Sequence, residues 1–163
     1  GSVMVVPLLP DGNLLLTLQY RYLEQKESIE FPCGHMDPAS DDIESSARLE
    51  LKEETGYEAD RLIKLGTFES TNGVAKAPMH VFLAYVSEAG EQKLDDTEEI
   101  EVLNRRPDEF QRMVQNGEIW CGQTLAAWAL IQSYLTKQDA ESRFLEAPNV
   151  KRLTDRIFGL LDF

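Results

Sequence analysis

GHMDPASDDIESSARLELKEETGY, residues Gly34 to Tyr57, reads as a glycine loop, a short acidic helix and a glycine stop. Asp41 is placed to cap the helix, with Glu44 as the return partner of a capping box. Gly56 stands where a left-handed C-terminal cap is wanted. Ile43, Ala47 and Leu51 recur at helical spacing and draw one apolar stripe. At about 100° per residue, Glu50 and Glu54 project on the side of Ile43, with Glu53 beside them; Arg48 and Lys52 fall opposite. The carboxylates therefore lean toward the protein body while the basic residues face out, the reverse of a solvated face.

This arrangement is costly. Each like-charge pair, Glu50 with Glu53 and Glu50 with Glu54, destabilises a helix by roughly 0.2–0.5 kcal/mol, and partial burial strengthens the repulsion. A divalent cation removes it, and hard oxygen ligands of this kind suit magnesium or manganese. Charge runs are usually solvated faces, however. From the helix alone two readings stand, an ordinary acidic helix and a metal site.

The stretch resembles the signature of the Nudix family, hydrolases of a nucleoside diphosphate linked to another moiety. That signature runs from a glycine through a spaced acid to Arg-Glu-aliphatic-x-Glu-Glu-x-Gly-aliphatic. Glu50-Leu51-Lys52-Glu53-Glu54-Thr55-Gly56-Tyr57 fits its second half closely. The first half departs. Leu49 takes the arginine position, and an extra residue after Gly34 leaves Ser40 or Asp41 where the acid is expected. The lost acid and lost arginine are complementary charges, so their joint absence reads as a compensated change. The resemblance implies that Glu50, Glu53 and Glu54 are metal ligands.

Composition narrows the partners. A chain of 163 residues suits one domain with a real core. No apolar run approaches a membrane span and no signal peptide is visible, which with only Cys33 and Cys121 as cysteines points to the cytoplasm. A net charge of −13 with no basic stripe argues against duplex DNA or an acidic membrane as partner. An anionic substrate then needs metal ions and a few arginines. Gly1-Ser2 has the look of residues left by cloning, so the natural N-terminus is expected further back.

Val3 to Leu9 reads as a buried strand, Asp11-Gly12-Asn13 as a tight turn, and Leu14 to Tyr20 as the return strand. Gln19-Tyr20-Arg21 resembles the QYR segment of the ADP-ribose pyrophosphatase branch, which implies that Arg21 contacts substrate phosphate; without the resemblance it is a surface arginine. Glu30-Phe31-Pro32-Cys33-Gly34 resembles that branch's E-x-P-A-G. The match implies a substrate-side acid at Glu30 and a main-chain carbonyl at Cys33 that completes the metal shell. His35 reads as a loop residue. Arg61 to Phe68 and Met79 to Val86 are expected strands, the second central, with His80 packed within it. Asn72, Ala77 and Pro78 stand where relatives preferring ADP-ribose carry a proline and an acid, which leaves substrate choice more open than reaction type.

Ser87 to Glu99 is an acidic loop, on its face a solvated one. In the resembling enzymes the matching loop closes over the site with a metal ligand and a general base, which implicates Glu98 first and Asp96 second, with Glu53 alongside. Closure would exclude bulk water. Arg106-Pro107 opens a helix to Met113, stopped by Asn116-Gly117, and a long helix is expected from Gln123 to Leu135 with Trp128 in the core.

The expected fold is thus an α/β Nudix fold, an α/β/α sandwich around a mixed sheet, over residues 1–137, with a helical extension at 138–163. The expected reaction is metal-dependent hydrolysis of the pyrophosphate bond in an ADP-sugar, ADP-ribose first. Another nucleotide substrate (a different nucleotide sugar, a dinucleoside polyphosphate, an oxidised nucleotide) and a catalytically silent nucleotide-binding module are the alternatives. The resemblance also implies a homodimer. The chain begins at the Val3 strand, so the N-terminal sheet of that branch's dimers is expected to be absent or cut away, and the contact is expected at that edge strand or at the apolar segment Val150 to Phe163.

Overall fold

The computed structural model describes residues 1–36, 42–94 and 99–146, with side chains as far as 137. It comprises two compact units, Gly1–Leu130 and Ile131–Phe163. The first holds the strands β1 (Ser2–Leu8), β2 (Leu14–Arg21), β3 (Lys26–Glu30), β4 (Cys33–His35), β5 (Tyr57–Glu69), β6 (Pro78–Ala89) and β7 (Ile100–Arg105). It also holds the helices α1 (Ile43–Thr55) and α2 (Pro107–Gln115) and the start of α3 (Gly122–Glu146). The second continues α3.

Among the described residues the strands form one sheet in the order β3-β2-β1-β6-β5, with β4 beside β1 and β7 beside β2. The run Val3 to Val6 is wholly buried, as a strand covered on both faces requires. At the end of β1 the chain reverses on Gly12, whose φ of +83° favours glycine, while the Asp11 carboxylate accepts from the Asn13 amide at 3.0 Å. Beyond the hairpin pair Leu8–Leu14, β1 runs parallel to β6 on one side and antiparallel to β4 on the other. The expectation of a Val3 edge strand free for a dimer contact is therefore corrected. With ladders on both sides, β1 has no open row of amides and carbonyls to offer a second copy.

Further boundaries move: β6 runs from Pro78 to Ala89, through Ser87 where the acidic loop was expected to begin, and α2 runs to Gln115 rather than Met113. β5 begins at Tyr57 rather than Arg61, through a polar stretch that tolerates register shifts against β6 at Tyr57/Ala59 and Ala59/Arg61. α3 starts one residue earlier than expected and runs on to Glu146. The cap of α1 is Asp42, whose side chain accepts from the amides of Glu44 and Ser45, not Asp41, which lies outside the described residues. With the cap at Asp42, Glu44 no longer closes a capping box; it pairs with Arg48 at 2.9 Å.

Ala47 and Leu51 of α1 pack on Val3, Val5, Phe82 and Ala84, one face of the sheet. On another flank Phe31 stacks on Phe110 at 5.2 Å, and Phe110 meets Trp128 at 4.7 Å. The Trp128 indole donates to Gln111 at 2.8 Å, so this tryptophan belongs to the core as expected. Leu130 of α3 lies against Gly66 of β5. Helices thus cover a mixed sheet, the α/β/α sandwich expected of the sequence.

Candidate active site

A cavity of about 1470 Å³ opens on the first unit, walled by the end of β2, β4, the inner face of α1 and the start of α3. Binding pockets for small ligands run to roughly 300–1,000 Å³, so this open cavity has room for such a ligand. Glu50, Glu53 and Glu54 all reach its wall. Glu54 is only 4 % exposed, and its Oε2 accepts from the Cys33 amide at 3.1 Å, tying α1 to β4. The Glu50 carboxylate lies over Gly34, where a Cβ would come within 2.0–2.1 Å of it. Only glycine leaves that space.

The C-terminus of α1 also fixes its neighbours. Gly56 caps the helix at φ +78°, returning its amide to the Lys52 carbonyl at 2.8 Å. The next carbonyls, which no further helical turn can satisfy, are taken by the stretch after β6. Lys93 donates its amide to the Glu53 carbonyl at 2.9 Å, and the Gln92 side-chain amide reaches the carbonyls of Glu54 at 2.6 Å and Ile100 at 3.2 Å. Asp96 and Glu98 lie outside the described residues; the chain on either side of them is tied down by these bonds beside the box glutamates.

At the end of β2 the Arg21 guanidinium grips Glu30 with Nε on Oε1 at 2.8 Å and Nη2 on Oε2 at 2.5 Å. Glu30 is 2 % exposed and both of its oxygens serve this pair. That hydrogen bonding holds the guanidinium well above its ordinary range against the opposing pull of burial. Cys33, on the same wall, has its thiol pushed far up by burial, with Glu54 and then Glu30 adding to the effect. It stays a neutral thiol, not a nucleophile. His35 ends β4 and reaches the wall, in a strand rather than the expected loop.

Among the described residues no group of three His, Cys, Asp or Glu side chains is already gathered around one point. Like charges on adjacent turns separate, Glu54 toward the Cys33 amide and Glu50 over Gly34. The chemistry of the donors nonetheless fits a hard divalent cation, since carboxylates on one wall supply oxygen and negative charge together. Leu49, the departure in the arginine position, is 54 % exposed and stands away from the cavity wall. Arg48 beside it binds the Ala59 carbonyl at 2.8 Å.

Sequence reasoning missed Gln92, Lys93 and Trp120. The last two reach the cavity wall. Neither lysine nor glutamine in an acidic loop gives a signal; Trp120, a lone aromatic just before a helix, was the one visible hint.

The NUDIX domain family model matches residues 1–120. The chain belongs to the Nudix family. It is 31 % identical over 134 residues to an ADP-ribose pyrophosphatase of Bacillus subtilis, covering 81 % of this chain and 72 % of the relative. It is 27 % identical, over the same shares, to a methanol dehydrogenase activator of Bacillus methanolicus. An ADP-ribose pyrophosphatase of Mycobacterium tuberculosis is 29 % identical over 73 % of this chain and 58 % of its own. Among solved structures, an ADP compounds hydrolase superposes with a TM-score of 0.74 at 22 % identity, over 84 % of this chain and 73 % of that one, a likeness of fold. Nudix hydrolases are divalent-metal enzymes, in keeping with the carboxylate wall of this one.

Proposed function

We propose that this Nudix protein is a pyrophosphohydrolase of ADP-ribose or a related ADP-sugar, releasing AMP and a sugar phosphate. The observation that carries the reading is the convergence of Glu50, Glu53, Glu54 and the Arg21–Glu30 pair on one large cavity. Relatives named ADP-ribose pyrophosphatase support the substrate class. Glu50, Glu53, Glu54, Glu98 and the Cys33 main-chain carbonyl would hold divalent metal, magnesium ahead of manganese. Bound there, the metal supplies positive charge against the diphosphate and a water of lowered pKa.

The protein's own groups do the rest. Glu30 holds Arg21 by Nε and Nη2 on the cavity wall, which leaves Nη1 to donate to a substrate phosphate oxygen. Glu98, with Asp96 as the neighbouring acid, accepts the proton of the attacking water, and Glu53 supports it. The leaving phosphate departs into the open cavity without a covalent enzyme intermediate. Positioning and charge account for most of such catalysis.

Incubation with magnesium and a panel of ADP-ribose, other nucleotide sugars, dinucleoside polyphosphates and oxidised nucleotides tests this. Release of AMP and ribose 5-phosphate, fastest from ADP-ribose, is expected. Tight binding with no turnover of any compound would turn the assignment to a silent nucleotide-binding module. The same proposal includes a cytoplasmic homodimer. Among the described residues no helix is long and apolar enough to cross a membrane, and the Val150–Phe163 sequence is amphipathic.

A further inference from the structure

We propose that Trp120 is the platform on which the nucleobase stacks, an inference that rests on the nucleotide-hydrolase reading above. Trp120 reaches the cavity wall immediately before α3. Its ring is not free to turn. The indole Nε1 donates to the Glu27 carbonyl of β3 at 3.1 Å, and the Lys26 ammonium lies 3.9 Å from the ring centre. Trp120 lines the cavity, with its indole Nε1 held by β3 and one face of the ring under the Lys26 ammonium. An aromatic ring locked in orientation gives up little further freedom when a flat ligand settles on it.

The placement agrees. Trp120 is tethered at Glu27, three residues along β3 from Glu30. Arg21 of β2 pairs with Lys26, the residue next to Glu27, so the tether of the indole and the backbone of the arginine stand side by side on neighbouring strands, with the guanidinium reaching on to Glu30. Trp120, Arg21 and the box glutamates line one cavity, so a base on the indole and a diphosphate at the arginine would be parts of one ligand. Of the other aromatic rings on the wall, Tyr20 and Tyr22 are mostly exposed, which suits them less to a preset platform, and Phe68 stands near the end of β5. Stacking accepts any base with a π face, so Trp120 confers affinity for nucleotides over base-free phosphates rather than choice among bases.

The purely structural role, tethering α3 to β3, makes a different prediction. Phenylalanine keeps the π face but cannot donate to Glu27; leucine keeps bulk without a π face. We expect Trp120→Phe to retain the KM for ADP-ribose within about threefold, and Trp120→Leu to raise it roughly 10- to 100-fold at nearly constant kcat. Inhibition by ribose 5-phosphate, which has no base, should be equal in both. Fluorescence supplies a readout that needs no turnover. With only Trp120 and Trp128 in the chain, AMP should quench emission of the wild type and not of Trp120→Phe. Should the wild type prove inactive, the hydrolase reading fails while the quenching experiment still decides the platform. Equal KM in the leucine and phenylalanine variants, or AMP quenching that persists in Trp120→Phe, overturns the proposal.

Discussion

A methyl group on Gly34 would fall 2.0–2.1 Å from the carboxyl atoms of Glu50. The atoms it meets are the far end of a flexible side chain, so the fold can yield by swinging Glu50 away. Gly34→Ala should therefore leave the melting temperature nearly unchanged and raise the magnesium concentration needed for half-maximal turnover by tenfold or more; activity assayed across metal concentrations checks this. Glu54→Gln keeps an acceptor for the Cys33 amide and removes the charge. It should abolish metal-dependent turnover with the circular dichroism spectrum intact, and unchanged activity would sink the ligand assignment. The direction of the glutamates was legible because helical periodicity converts residue number into direction, while their reading as metal ligands came from the resemblance. The Arg21–Glu30 grip was not legible. It depends on β2 and β3 pairing Arg21 with Lys26, across a turn, Tyr22-Leu23-Glu24-Gln25, that has no glycine, proline or asparagine to announce it. Gln25 itself takes the left-handed φ of 53° there.

For whole elements, α1 is defined at both ends by groups that act at a distance from its apolar stripe. At the N-terminus the Ser45 hydroxyl, and then the Ser45 and Glu44 amides, hold the Asp42 carboxyl below its ordinary range. A pKa lowered by folding means that the contribution is present above the unfolded value, about 3.9, and is lost as pH falls through the folded one. Asparagine caps a helix without ionising. Wild type and Asp42→Asn should thus differ most in melting temperature near neutrality and converge below about pH 4; a constant gap down to pH 2 would contradict the ionic part of the cap. At the C-terminus, Gln92 and Lys93 bind the carbonyls of Glu54 and Glu53, so the chain leaves for the acidic stretch from a fixed point beside the proposed metal ligands. If Glu98 holds or deprotonates the attacking water, Glu98→Gln should cut kcat by a hundredfold or more with little change in KM, while Asp96→Asn falls less. Wild-type turnover in both would move the general base elsewhere. Of the expected acidic loop, Asp96 and Glu98 lie outside the described residues, and its first residues, Ser87 to Ala89, belong to β6. Its anchor left no signal, because a glutamine bonding two main-chain carbonyls makes no pattern in sequence.

Across the whole molecule, the central strands were legible as apolar runs, while β3, β4 and β7 were not, being short or polar and defined only by their partners. That gap bears on assembly. With β1 flanked by β4 and β6, the edge contact first considered for a dimer is closed, and the sequence beyond α3 becomes the remaining candidate. Val150-Lys151-Arg152-Leu153 through Ile157, Phe158, Leu160, Leu161 and Phe163 alternates charge with large apolar residues. Such a run is costly to leave in water; the proposed dimer would cover it with a second copy, and packing on its own chain is the other outcome of the test. The two differ in mass. Light scattering at micromolar concentration should return twice the 18.5 kDa of one chain, and deletion after Ala147 should return the monomer with turnover reduced only in so far as the dimer shapes the cavity. A monomer mass for the full chain, unchanged on deletion, would assign the segment to its own chain and leave the Nudix domain to act alone.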